Sequence, residues 1–145
     1  MSGKFKFKSR FLVEIKRGKV QMPRCFFASL ANEKIHLVVD QGNCLRLIPG
    51  DETLRQNIEE EIKEIARVNP KARLTYIGST ELSKTGSIVI PKKIRKLAGL
   101  CKNEVEVVGL LRTIEIWDRK RLKEKIKRFH EDFVEIKKNL DEVLR

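Results

Sequence analysis

The chain has 145 residues, 41% of them apolar, and carries 32 Lys and Arg against 20 Asp and Glu, a net charge of +12. The apolar share and its periodicity exclude wholesale disorder, and no apolar run approaches the roughly 18 residues that span a bilayer. The opening MSGKFKFKSRF lacks the apolar stretch of a secretory signal, so a soluble cytoplasmic protein is expected.

The first element alternates. Phe5, Phe7, Phe11, Val13 and Ile15 fall on one face, and Lys4, Lys6, Lys8, Arg10 and Lys16 on the other. That is a half-buried strand with a basic outer face. Aromatics interleaved with cations also suit a stacking platform for single-stranded nucleic acid. The phenylalanine face runs on into Val13 and Ile15, which favours a core role.

A turn at Gly18 leads into the short strand Val20-Gln21-Met22. Pro23 then opens a short helix, because its fixed φ suits the first helical position. KIHLVV (34–39) and CLRLIP (44–49) form a hairpin that turns at Asp40-Gln41-Gly42-Asn43. A helix is expected from Asp51 to Arg67, capped by Asp51 or Thr53. Its apolar stripe is Leu54, Ile58, Ile62 and Ile65, and Asn69-Pro70 ends it.

The pattern then repeats. SKTGSIVIPKKIRKLAGL (83–100) aligns with IKRGKVQMPRCFFASL (15–30), with Gly86 and Pro91 over Gly18 and Pro23. EVEVVG (104–109) parallels the first hairpin's KIHLVV, and TIEIWD (113–118) its CLRLIP. The order is β-β-α-β-β, twice, which reads as an internal duplication. The units are residues 5–50 and 72–118, joined by a helix at 51–69 and followed by a tail at 119–145. One unit buries too little surface alone, so the two must share a core.

The tail reads as a long helix with Asp118 as N-cap. Leu122, Ile126, Phe129, Phe133, Ile136, Leu140 and Val143 form a strict heptad seam. Such a seam either docks on its own domain or pairs with another helix.

Charge is segregated along the chain. Residues 4–24 hold eight cations against Glu14, 92–102 hold five with no acid, and 119–128 hold seven against Glu124, whereas 51–64 is acidic. This favours a polyanion-binding face over generic solubility. Cations in a first helical turn oppose the macrodipole. Placing Lys92 and Lys93 after Pro91, and Arg24 after Pro23, makes sense if phosphates approach there. The candidate contacts to duplex DNA are Lys16, Arg17, Lys19 and Arg24 in the first unit, and Lys84, Lys92, Lys93 and Arg95 in the second.

No Walker A, G-x-G-x-x-G, H-E-x-x-H or G-x-S-x-G sequence occurs, so no enzyme, cofactor or small-molecule substrate is expected. Three cysteines, Cys25, Cys44 and Cys101, form no C-x-x-C pair. With only two histidines they read as small apolar fillers, with no disulfide framework and no metal site expected.

ELSKTGSIVIPKKIRKLAGL followed by EVEVVGLLRTIEIWD resembles the second half of the MraZ family, within the AbrB-like swapped-hairpin superfamily. GKVQMP, IHLVV and GNCLRLIP resemble its first half more loosely. The resemblance implies an α+β fold: a two-repeat, AbrB-like β-barrel with short helices and, here, a long C-terminal helix. It also implies a bacterial, nucleoid-associated transcriptional regulator that assembles into a homo-oligomeric ring and binds double-stranded DNA through its turns. The family's Asp-x-x-x-Arg motif falls on Ile15 and Lys19 in the first unit and on Ser83 and Ser87 in the second. The family's Arg four residues after the Pro is kept as Arg95 but replaced by Phe27. An oligomeric interaction protein, AbrB-like or antitoxin-like and without sequence-specific DNA reading, is the alternative.

Overall fold

The computed structural model describes residues 10–110 and 112–144. The alternating Phe5, Phe7, Lys4, Lys6 and Lys8 lie outside the described residues.

Among the described residues, eight strands and four α-helices follow one another: β1 (Arg10–Glu14), β2 (Lys19–Gln21), α1 (Phe27–Leu30), β3 (Lys34–Asp40), β4 (Cys44–Gly50), α2 (Leu54–Val68), β5 (Leu74–Thr80), β6 (Ser87–Val89), α3 (Lys92–Leu97), β7 (Glu104–Gly109), β8 (Ile114–Asp118) and α4 (Arg119–Leu144). A 3₁₀ turn at Arg24–Phe26 leads into α1. The fold is α+β, with a long C-terminal helix.

Six strands form one antiparallel sheet in the order β1-β7-β8-β4-β3-β5, and β2 pairs with β6 in a separate ribbon. The order is unchanged when β1 is exchanged with β5, β3 with β7 and β4 with β8. Each half's first strand pairs with the other half's hairpin: β1 with β7, and β5 with β3. A helix follows the hairpin in both halves, α2 after β4 and α4 after β8.

The expected barrel is not formed among the described residues. The two hairpins join through β4 and β8 at the centre, so β1 and β5 become opposite edges, each bonded on one side only. The sheet is therefore open.

Its two faces have different partners. On one face, Ile35, Leu37 and Val39 of β3, Leu45 and Leu47 of β4, Val105 and Val107 of β7, and Ile114 and Ile116 of β8 point into the main core. The ribbon and short helices close that core with Val20, Met22, Phe26, Leu30, Ile88 and Ile90. Alternate residues facing one core are what the two-residue strand period requires. On the other face, Cys44, Val108 and Trp117 meet Leu122 of α4, and Ile58 is the buried residue of α2. Cys44 is the buried filler expected, and burial drives its thiol pKa far up. Cys25 and Cys101 are exposed, a correction to the filler reading. Cys25 lies on the outer side of the 3₁₀ turn and Cys101 in the segment between α3 and β7, neither at a core-facing strand position.

Buried His36 ties three elements together. Its Nδ1 lies 2.8 Å from the Tyr76 hydroxyl on β5, and its Nε2 lies 2.9 Å from the Asp51 carbonyl at the entry to α2. The matching position on β7 is Glu106, which accepts from Arg10 of β1 at 2.8 Å. In both halves a buried polar side chain thus bonds to a group on the strand borrowed from the other half, although the second Glu106 carboxylate oxygen is buried without a partner among the described residues.

Candidate nucleic-acid interface

The ribbon decides where the basic turns go. Val20 pairs with Ile88, and both are fully buried, so their neighbours Lys19, Gln21 and Val89 turn outward. The antiparallel register sets Lys19 against Val89 and Gln21 against Ser87. The turn before β2 therefore lies beside the end of β6, where α3 begins. The turn before β6 lies beside the end of β2, where the Pro23 turn begins.

Backbone hydrogen bonds fix both junctions. The Ile90 N–H donates to the Gly18 carbonyl at 2.7 Å, and the Met22 N–H donates to the Gly86 carbonyl at 2.9 Å. Each junction thus combines the turn of one half with the helix start of the other. The first gathers Lys16, Arg17 and Lys19 with Lys92 and Lys93. The second gathers Lys84 with Arg24. All seven side chains are exposed.

The first turn is a tight two-residue hairpin. Lys16 and Lys19 exchange hydrogen bonds of 3.0 and 2.9 Å, while Arg17 has φ 54° and Gly18 φ 76°. Two consecutive positive φ values are the type I′ pattern, which Asn-Gly fills most easily. Arginine in the left-handed region costs about 1–2 kcal/mol. The sequence accepts that cost and gains a guanidinium at the tip.

The second turn is one residue longer and is held by serines. The Ser87 N–H donates to the Ser83 hydroxyl at 2.9 Å, and the two hydroxyls are 2.8 Å apart. The Gln21 amide reaches across the ribbon to donate to the Thr85 and Gly86 carbonyls, at 2.9 and 3.3 Å. Gly86 has φ +86°, and a β-carbon there would overlap the Phe27 ring.

Among the described residues, several cations of the sheet and of α2 are paired with carboxylates, whereas those of α4 after Arg119 are not. Arg46 lies between Glu115 at 3.1 Å and Asp40 at 3.4 Å, Lys34 pairs with Glu52 at 2.6 Å, Arg55 with Glu59 at 2.8 Å, and Arg119 with Glu104 at 3.2 Å. Among the described residues, none of the seven cations at the two junctions has a carboxylate partner. Unpaired like charges held close together attract a polyanion.

Arg95 stands apart. It is half-buried on α3, and its Nε is buried with no hydrogen-bond partner among the described residues. With six residues, α3 builds little macrodipole, so the side chains rather than the helix end carry the attraction. The family motif positions carry little base-reading chemistry: Ile15 is 3% exposed, and Ser83 and Ser87 bond to each other.

Gln21 was not among the residues singled out from the sequence. Its place between buried Val20 and Met22 was the available signal, since alternation puts it on the outer face with Lys19. A groove of about 830 Å³ between β1 and the start of α4 is a weaker candidate. The carboxylates of Glu14, Glu104 and Asp118 share its lining with Lys102, Arg119 and Lys123. Among the described residues no helix is long and apolar enough to cross a membrane. No family model matches the chain.

Proposed function

We propose that the chain is a DNA-binding transcriptional regulator of the MraZ type, without enzymatic activity, that grips duplex DNA through the turns and helix starts of two internal repeats. The fold is then a diverged two-repeat swapped-hairpin domain of the AbrB kind. The pairing of β1 with β7 and of β5 with β3 supports that reading. In this account the protein works as a homo-oligomer at the cytoplasmic nucleoid.

One observation carries the proposal. The bond between Ile90 and Gly18 draws five exposed, unpartnered cations, Lys16, Arg17, Lys19, Lys92 and Lys93, to one junction. Each can neutralise a phosphate and release condensed counterions. The ribbon outside which they stand has a width that a B-DNA major groove admits.

The test is salt dependence. Binding of a labelled duplex is followed by fluorescence anisotropy between about 50 and 200 mM salt. If all five cations touch phosphates, the plot of log K against log salt has a slope of about −4.5, at about −0.9 per contact. A flat plot would overturn the proposal.

The exposed seam of α4 and the altered motif positions favour a second reading, an oligomeric interaction protein that does not read DNA sequence. Lys19 cannot offer guanine the planar bidentate contact that Arg gives. Selection from random duplexes separates the two readings. An enriched motif supports the regulator, and duplex binding without any motif supports the second.

A further inference from the structure

We infer that α4 is an interaction surface for a second copy of this chain, and that the two α4 helices pair antiparallel along Ile126–Val143. The inference stands independently of DNA binding. It starts from where the seam is covered and where it is not. Leu122 is 7% exposed against Cys44, Val108 and Trp117, and Ile126 is half-buried beside it. Beyond them the same seam continues with Phe129, Phe133, Ile136, Leu140 and Val143, which are 55–81% exposed. These five residues keep the alternating three- and four-residue spacing of heptad a and d positions. Lys125, Asp132 and Asn139 flank the seam on one side, and Lys123, His130 and Lys137 on the other. The apolar strip is thus two columns wide, the width that a single partner helix covers.

Charge identifies the partner and its direction. Residues 119–128 hold seven cations and one acid, whereas 129–144 hold five acids and two lysines. A parallel pair would set the two strongly basic stretches against each other. An antiparallel pair that sets Ile126 against the partner's Val143 brings the end of each basic stretch beside the partner's acidic end, with Lys127 level with the partner's Glu142 and Arg128 with the partner's Asp141. Steric placement agrees, because the folded body lies on the seam at Leu122. A parallel partner helix would have to pass through that body. An antiparallel one ends against it.

Side-chain size agrees as well. The antiparallel register that covers the free seam pairs Ile126 with the partner's Val143, Phe129 with the partner's Leu140 and Phe133 with the partner's Ile136. Each phenylalanine then meets an aliphatic side chain. A parallel register would stack Phe129 and Phe133 on their own copies. Alternating large and small residues is how a helix interface fills space without overpacking.

The test has two arms. Sedimentation equilibrium should give twice the chain mass for the unaltered protein and the single mass for Phe133→Glu and Leu140→Glu. Unchanged Trp117 fluorescence shows that the body of these variants is intact. A single mass for the unaltered protein at every concentration, or a doubled mass that survives both substitutions, overturns the inference. The second arm fixes direction in a background with exposed Cys25 and Cys101 changed to Ser. In the antiparallel pair the two copies of residue 143 are about 25 Å of helix apart. Val143→Cys should therefore form no disulfide with itself, but should cross-link on mixing with Ile126→Cys. Self-linking of Val143→Cys, or no mixed product, overturns the antiparallel assignment.

Discussion

The two junctions of the β2–β6 ribbon share a backbone plan and differ in charge. At each, a turn from one half is hydrogen-bonded to the chain that leads into the other half's short helix. One junction carries Lys16, Arg17, Lys19, Lys92 and Lys93, and the other only Lys84 and Arg24. The longer turn of the weaker junction is closed by Ser83 and Ser87, and the shorter turn of the stronger one holds Arg17 in a left-handed conformation. Strain beside unpaired charge is a pattern of function, because a turn selected for stability alone would use Asn-Gly. Under the proposed function, the two junctions would then be one strong and one weak contact to phosphate.

The largest effect is expected from charge reversal at the strong junction. Arg17→Glu with Lys19→Glu, or Lys92→Glu with Lys93→Glu, should lower the salt slope of duplex binding by about 1.8, as two lost phosphate contacts require. The same pair of reversals at Arg24 and Lys84 should change affinity much less. Equal losses at both junctions would erase the distinction.

Arg17→Asn separates strain from charge. Asparagine tolerates the left-handed region, so thermal stability should rise by up to about 1–2 kcal/mol. Duplex affinity should fall, with the salt slope lower by about 0.9. A variant that gains stability and keeps full affinity would remove Arg17 from the interface.

The two turn glycines offer a comparison in stability. A β-carbon at Gly18 would sit 3.6 Å from the Ile90 carbonyl oxygen, ordinary contact. Gly18→Ala should cost only the left-handed strain, about 1–2 kcal/mol. Gly86→Ala adds the collision with Phe27, a further ~1–3 kcal/mol of overpacking. Chemical denaturation of both variants reads the difference, and equal losses would contradict this packing.

The smallest effect is expected at the entry to α2, away from both junctions. A hydrogen bond from the Thr53 side chain holds the Asp51 carboxyl below its usual 3.8, and one from Lys34 holds Glu52 below its usual 4.5. Folded values below unfolded ones mean the stabilisation is complete above the usual carboxylate range. It is lost as pH falls through the folded values. Asp51→Asn should slightly flatten the melting temperature between about pH 5 and pH 3 and leave duplex binding at neutral pH unchanged. A change in binding would tie this entry to the interface.

Much of this layout is legible in the residues. The Gly18/Pro23 and Gly86/Pro91 alignment marks the related segments, the stripe from Leu54 to Ile65 marks α2, and Asp118 accepts from the Arg121 N–H at 3.1 Å as the N-cap of α4. The pairing of Lys19 with Val89 is not legible, because it joins residues of different halves through a ribbon only three residues long. No local pattern tells which turn meets which helix start. The open sheet escapes for the same reason, since closure depends on where β1 and β5 land rather than on their own alternation.

The most direct test is to map amide shifts by NMR while a duplex is titrated into the isotope-labelled protein. The expected result is that perturbations concentrate on residues 16–19, 90, 92 and 93, with smaller changes at 22, 24 and 84–86. Perturbations confined to the basic start of α4, or of equal size at both ends of the ribbon, would contradict the account.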